Sequence, residues 1–299
     1  ELYERALKVD RLNLSRYAAL GWFLAQNDDY DGAREVIDQI ESLFDTPESY
    51  EAIAHLYDLV GDVDHSIAWT IKALNANPGN PLLVEKLAEY FVDIGDFETA
   101  EKLTPDLGPG LLFKMRRYDE YIDKAVELLW DYPEDIQLKV YLAAAYSFTG
   151  KHEQAIDFIR NAGLVESFGS GRRGTESMDA FMVLANALYA LGRSDELATL
   201  FPSIVGQDTY TGDTADWFVA LGVGCGAAIV GDDAEVYRRF ERALEGKHLP
   251  WDPMLKDREC FKRFADDPAY LAVIDHFDGL RKMLRERLPD TLAEYGINP

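Results

Sequence analysis

Five histidines, an acidic run with calcium-loop spacing and one glycine-rich basic stretch are the groups in this sequence whose types could carry chemistry. His55, His65, His152, His248 and His276 contain no His-Glu-x-x-His pair, and none stands at zinc-ligand spacing from a cysteine. His65 and His152 fall near expected turns, where a solvated imidazole is the plain expectation. Gly169-Ser170-Gly171-Arg172-Arg173-Gly174 lacks the strand before it and the Lys-Ser/Thr ending that a phosphate-cradling loop requires. It reads as a basic loop within an exposed insertion from Gly163 to Ser177. Asn27-Asp28-Asp29-Tyr30-Asp31-Gly32, with Asp38 eleven residues after Asn27, imitates an EF-hand loop. Ala33 and the apolar phase after it commit that backbone to helix instead. Asp232-Asp233 and Asp266-Asp267 suit helix starts or turns; acid–base work would need such carboxylates held across a cleft with their pKa values driven apart. No strand-turn-helix presents a nucleophilic serine. The expectation is a protein that is not an enzyme, with no catalytic residue, no metal and no cofactor.

The composition sets the class. Of 299 residues, 47% are apolar and 28% charged, enough for a buried core. Lys and Arg number 30 against 54 Asp and Glu, a formal charge of −24, which repels nucleic acid and anionic membrane surfaces. No apolar run approaches the roughly 18–20 residues needed to span a bilayer. Cys225 and Cys260 lie far apart beside apolar residues and read as buried free thiols, which fits a reducing, cytoplasmic setting. The chain opens at Glu1 inside what reads as the tail of a helix, Leu2 to Lys8, so an upstream portion is expected.

What positions these residues is a repeat. The clearest copy runs Tyr50, Ile53, Ala54, Tyr57, then Gly61 at a turn, then Ser66, Thr70, Ala73 and Pro78. The next, 34 residues on, holds Val84, Leu87, Ala88, Phe91, Gly95, Ala100 and Thr104 in the same phase. Upstream, 33 residues ahead, Tyr17, Leu20, Gly21, Leu24, Asp28, Ala33, Ile37 and Ile40 repeat it. Apolar residues three and four apart make one buried stripe per helix, and the small residues let two helices approach closely. Gly61 and Gly95 break the chain between them, Asp62 and Asp96 suit the start of the second helix, and Pro78 stops it. Leu142 to Ala162, Phe181 to Phe201 and Ala220 to Ala243 continue the pattern. Near 104–133 a hairpin is degenerate, with a short first helix around Leu111 to Met115 and a second from Tyr118 to Trp130.

These phases resemble the tetratricopeptide repeat (TPR) family. The resemblance covers roughly Glu1 to Leu244, with Ser66 where the family has Ala and Thr70 and Thr104 where it has Phe. It implies an all-α, right-handed superhelical solenoid of helix-turn-helix repeats. The array would occupy 1–248, about seven hairpins with the first truncated, and a C-terminal helical cap would occupy 249–299, including an amphipathic helix Leu280 to Leu288. Asp252-Pro253 and Asp266-Asp267-Pro268-Ala269-Tyr270 also resemble the ends of TPR regions of bacterial cyclases and winged-helix regulators. That second resemblance implies a regulatory or sensor segment of a larger signalling or transcription-regulator protein.

The phase places the first helix of each hairpin on a concave face. Its inward residues are Trp22 in the first complete hairpin, Glu48, Glu51, His55 and Asp58 in the next, and Glu85, Glu89 and Asp93 after that. The equivalent downstream positions are Val140, Ala144, Ser147, Phe148, Met182, Asn186, Tyr189, Leu221 and Cys225. The first hundred residues hold 7 Lys and Arg against 20 Asp and Glu, so the acidic bias is concentrated there. The functional expectation is a scaffold whose groove takes a Lys/Arg-containing protein or peptide segment, with apolar anchors downstream. The acidic chaperone C-termini held by some TPR proteins are disfavoured, because on this face only Asn186 fits and basic residues are missing.

Overall fold

The computed structural model describes residues 12–164, 175–193, 195–196, 217–246 and 248–297, with side chains at all of these except 175–178 and 217–220. The expected helix tail at 2–8, the core of the basic loop with Arg172 and Arg173, and Phe201 lie outside them. Among the described residues there are sixteen helices and no strand. They are α1 (Leu14–Gln26), α2 (Tyr30–Leu43), α3 (Pro47–Leu59), α4 (Val63–Ala76), α5 (Pro81–Asp93), α6 (Phe97–Leu103), α7 (Pro109–Lys114), α8 (Tyr118–Asp131), α9 (Ile136–Phe148), α10 (His152–Asn161), α11 (Thr175–Ala190), α12 (Trp217–Val230), α13 (Asp233–Ala243), α14 (Asp252–Lys256), α15 (Glu259–Lys262) and α16 (Pro268–Glu294).

Local chemistry explains the hairpins. Gly61, Gly95, Gly150, Gly192 and Gly231 all take positive φ at the turns, the left-handed conformation that glycine adopts without steric cost. Asp28 and Arg116 stand at the same place in the first and fourth hairpins, with φ of 60° and 62°. A side chain there costs about 1–2 kcal/mol. Of the acidic residues after the turns, Asp29, Asp96 and Asp232 accept hydrogen bonds from Gly32, Thr99 and Glu235 N–H, while Asp62 makes no capping bond and accepts from Arg34 instead. The capping bond of Asp29 and the helical placement of Asp38 leave no EF-hand loop at 27–38. The expected small residues are buried, with Ala33, Ala73, Ala88, Ala100, Ala143, Ala155, Ala185 and Ala243 all at 0% exposure. A Cβ at Gly21 would stand 2.8 Å from both Leu56 methyls, so this glycine sets how closely α1 and α3 approach.

The helices pack with their neighbours, α1 on α2, α3 on α4, α5 on α6, α7 on α8, α9 on α10 and α12 on α13. The second helices α2, α4, α8 and α10 rest on the first helix of the following pair, and α1 packs on α3, α9 on α11, and α11 on α12. A hairpin with one apolar stripe hides it only against the next hairpin.

The residues fall into two compact units. The first comprises Glu1–Leu107, Lys247–Leu249 and Phe277–Pro299; the second comprises Gly108–Gly246 and Pro250–His276. Residues 249–299, expected as a separate cap, contribute to both. The amphipathic helix expected over Leu280 to Leu288 is longer than its sequence signals imply: α16 spans Pro268–Glu294 and continues through Pro289. In the first unit its side chains dock on hairpin turns. Arg281 donates to the Asp93 carbonyl at 3.2 Å, Arg285 to that of Ile94, and Arg287 to the Asp64 carboxylate.

Two expectations are corrected. Cys225 on α12 and Cys260 on α15 form a disulfide, with Cα atoms 5.4 Å apart, because the segment after the repeats folds back against α12. With both cysteines in a disulfide there are no free thiols among the described residues to indicate a reducing, cytoplasmic setting. His65 and His152 are not solvated turn residues either. His65 stacks on Tyr57 and hydrogen-bonds the Tyr295 hydroxyl at 2.9 Å, while His152 lies 3.3 Å from Ser147 Oγ and 3.7 Å from the Glu259 carboxylate. None of the described helices is long and apolar enough to cross a membrane.

Candidate binding cleft

In the first unit, the acidic positions lie on α3 and α5, with Glu48, Glu51, His55 and Glu85 exposed and Asp58, Glu89 and Asp93 partly buried. The structure draws Asp58 and Glu89 together around one cation. Lys86 Nζ lies 3.7 Å from Asp58 Oδ2 and 2.9 Å from Glu89 Oε2, above the Tyr90 ring. Part of the acidic character is thus neutralised within the unit, and Glu48, Glu51 and Glu85 remain exposed. Trp22 on α1 is 49% exposed.

The second unit holds a narrow cleft lined by Val140, Tyr141, Ala144, Ser147 and Phe148 from α9, Asp179, Met182, Val183 and Asn186 from α11, and Met254 and Arg258 from the segment after the repeats. Its cavity volume is about 20 Å³, room for about one water-sized group, and it opens to solvent at its mouth. Six of these residues, Val140, Ala144, Ser147, Phe148, Met182 and Asn186, are positions the repeat phase assigns to the inward side. A helical register of three and four residues brings them onto one stripe of each helix, and the packing of α9 on α11 sets the two stripes side by side. Tyr189 is partly buried but does not line the cleft, Leu221 is buried, and Cys225 is taken by the disulfide.

The third wall was not foreseeable from the first helices. Residues 250–262 are held against them by several anchors. Trp251 packs on Tyr141 with ring centroids 5.8 Å apart and beneath the Lys114 ammonium at 4.8 Å. Tyr270 donates its hydroxyl to the Leu255 carbonyl at 2.8 Å, and Phe261 packs between Phe240 and Tyr270. The Cys260 N–H donates to Asn186 Oδ1 at 3.2 Å. This segment delivers Arg258, so the cleft's basic group comes from a part of the chain outside the two helices that form its other walls. The only sequence signal for it is an apolar run, Pro253-Met254-Leu255, just ahead of Arg258.

The cleft's polar groups are unequally satisfied. Arg258 is 6% exposed and Asn186 2%. Arg258 Nη2 reaches only the Met254 sulfur, a weak acceptor, at 3.3 Å, and Nη1 has no hydrogen-bond partner among the described residues. Asn186 Nδ2 is likewise without one. Burial pushes the Arg258 pKa down to about 10, partly countered by the Asp179 carboxylate, so the guanidinium stays charged at neutral pH. Burial lowers the His152 pKa too, more than Glu259 raises it. Buried donors without acceptors cost roughly 1–3 kcal/mol each, more when charged, and residues that bear them in a concave apolar site mark where a ligand can be recognised.

Fold and cleft together define the class: an all-α protein of antiparallel helical hairpins with a polar-ended apolar cleft between two first helices and the segment that follows the repeats. No protein-family model matches the chain, and no curated protein matches it.

Proposed function

We propose that the chain is a non-enzymatic interaction module, a TPR-like superhelical scaffold that holds a segment of a partner protein on the inward faces of its first helices. The observation that carries this reading is the cleft of the second unit, where six inward-phase residues of α9 and α11 form one apolar-walled site. Affinity comes from apolar burial there, at about 25 cal/mol per Å² of apolar surface, less the cost of ordering the segment. The exposed carboxylates Glu48, Glu51 and Glu85 in the first unit steer a Lys/Arg-containing partner and leave nucleic acid repelled.

The test is selection from a random peptide library on the purified chain, repeated with Met182→Glu, which places a charge in the apolar wall. Selected peptides should share apolar residues and lose at least tenfold in affinity on the variant. Glu51→Lys with Glu85→Lys should slow association and flatten its salt dependence without changing dissociation. Failure to select any peptide, or binding indifferent to Met182→Glu, would end the proposal.

A further inference from the structure

The second helix of the fourth hairpin ends on a surface away from the cleft. Along α8 the row Ile122, Val126 and Trp130, each four residues after the last, runs from the core into solvent, at 8%, 40% and 84% exposure. Tyr132 is 63% exposed, and every residue from Trp130 to Gln137 is exposed. Hydrogen bonds fix this corner: the Asp135 N–H donates to the Tyr132 carbonyl at 3.1 Å across Pro133 and Glu134, and Asp135 Oδ1 accepts from the Leu138 N–H at 2.8 Å to start α9. The repeat does not demand an aromatic ring here. At the same distance from the positive-φ turn residue, the hairpins of Asp28, Gly61 and Gly231 place Ser42, Asn75 and Glu245, which are polar and exposed, and that of Gly150 places Leu164, which is buried. Trp130 alone of these is both apolar and exposed. Between 126 and 136 there are four carboxylates, Glu127, Asp131, Glu134 and Asp135, and no basic residue. Glu127, three residues before Trp130, shares its side of the helix.

We propose that this corner docks an arginine-bearing segment of a partner protein, the guanidinium groups meeting the Trp130 and Tyr132 rings and the carboxylates beside them. Ring chemistry and charge choose the occupant together. Aromatic faces attract cations, and a planar guanidinium stacks on a ring while donating to carboxylates, which an ammonium does less well. Rings of this size offer about 150–250 Å² each for burial, and a corner held by its own hydrogen bonds loses little freedom on binding. A second copy of the chain, meeting the same patch across a twofold axis, would set four carboxylates against four. An anionic membrane or nucleic acid meets the same repulsion. The surface lies on a second helix, so the proposal goes beyond the cleft formed by the first helices.

Short peptides of alternating Gly and Arg, and of alternating Gly and Lys, test it when titrated into the full chain with its disulfide intact. The readout is the indole N–H resonance of Trp130, assigned by its loss in Trp130→Ser. The arginine peptide should shift that resonance and bind more tightly than the lysine peptide. Trp130→Ser, which leaves the net charge unchanged, should weaken the arginine peptide about fivefold, and Trp130→Ser with Tyr132→Ser about tenfold or more. The resonance shift and the peptide comparison on the unaltered chain need no variant to fold. Affinity unchanged in Trp130→Ser would overturn the proposal and leave only diffuse attraction to an acidic protein, and equal binding of the lysine peptide would overturn the choice of guanidinium. A Trp130 resonance moved by phosphatidylcholine vesicles but not by the arginine peptide would make the corner a membrane contact instead, and one moved only by raising the protein concentration would make it a contact between copies. Met182→Glu should leave the arginine peptide's affinity unchanged, so the cleft reading and this one fail separately.

Discussion

The Asp64 carboxylate at the start of α4 is gripped by the Arg287 guanidinium from α16, 223 positions later in the chain. Arg287 Nε donates to Oδ2 at 2.6 Å and Nη2 donates to Oδ1, while the Thr291 hydroxyl, one helical turn further on, donates to Oδ2 at 2.6 Å. The Asp64 side chain has no exposed surface, so these donors replace the water it loses on folding.

Removing one donor should therefore cost more than an ordinary surface pair. Arg287→Met keeps the aliphatic stem and leaves a buried carboxylate short of its fork; a loss of about 2–3 kcal/mol in denaturant unfolding is expected, and about 1 kcal/mol for Thr291→Val. In a double-mutant cycle with Asp64→Asn, the coupling to Arg287 should exceed about 0.5 kcal/mol. A cycle that closes additively would show the contact to be energetically idle.

The same group predicts an acid dependence. Burial alone would raise the Asp64 pKa, but the hydrogen bonds from Arg287 and Thr291 and the attraction of the guanidinium outweigh it, and the net shift is downward. With the folded-state value below the unfolded one, the contribution is complete above the ordinary carboxylate value of about 3.9 and is lost as pH falls through the lowered folded value. Stability measured from about pH 5 to about pH 2 should fall less steeply in Asp64→Asn than in the unaltered chain. Parallel curves would contradict the assignment.

The Cys225–Cys260 bond closes a loop of 35 residues across α12, α13 and the segment that walls the cleft. Restricting an unfolded loop of that length stabilises the fold by about 4 kcal/mol in the chain-entropy account. Dithiothreitol should lower stability by about 2–4 kcal/mol in the unaltered chain and by nothing further in Cys225→Ser. A reductant effect that persists in Cys225→Ser would have to come from elsewhere.

Gly79 and Gly95 separate backbone strain from crowding. Both have positive φ, 83° and 80°, but nothing lies within 4 Å of a Cβ built on Gly79, whereas one on Gly95 meets Arg285 Nη1 at 2.8 Å. Alanine at either position costs about 1 kcal/mol of strain. Gly95→Ala must also move Arg285 off the Ile94 carbonyl and should cost about 1 kcal/mol more, read from thermal or denaturant unfolding of the two variants side by side. Equal costs would mean that Arg285 repositions freely.

Much of this was legible in residue order because it is local. The spacing of Tyr50, Ile53, Ala54 and Tyr57, the glycine at most turns and the acidic residue behind several of them specify helix, break and helix within a few residues. The same register places Val140, Ala144, Ser147 and Phe148 on one stripe of α9. Asp28 and Arg116 occupy the turn position without being glycine, and the ion pair of Arg116 with Asp257 at 2.5 Å, 141 positions away, is a long-range contact that no local rule foretells.

What the order of residues determined, then, is the all-helical hairpin architecture and which residues share one stripe of a helix, since periodicity within one helix and chain breaks between two are short-range properties. The tertiary structure alone decided the disulfide, the placement of Arg258 in the cleft that Asn186 also lines, the hold of Arg287 on Asp64 and the gathering of Asp58 and Glu89 around Lys86. Each joins helices through packing, and a spacing rule for one helix carries no information about which distant segment folds back to meet it.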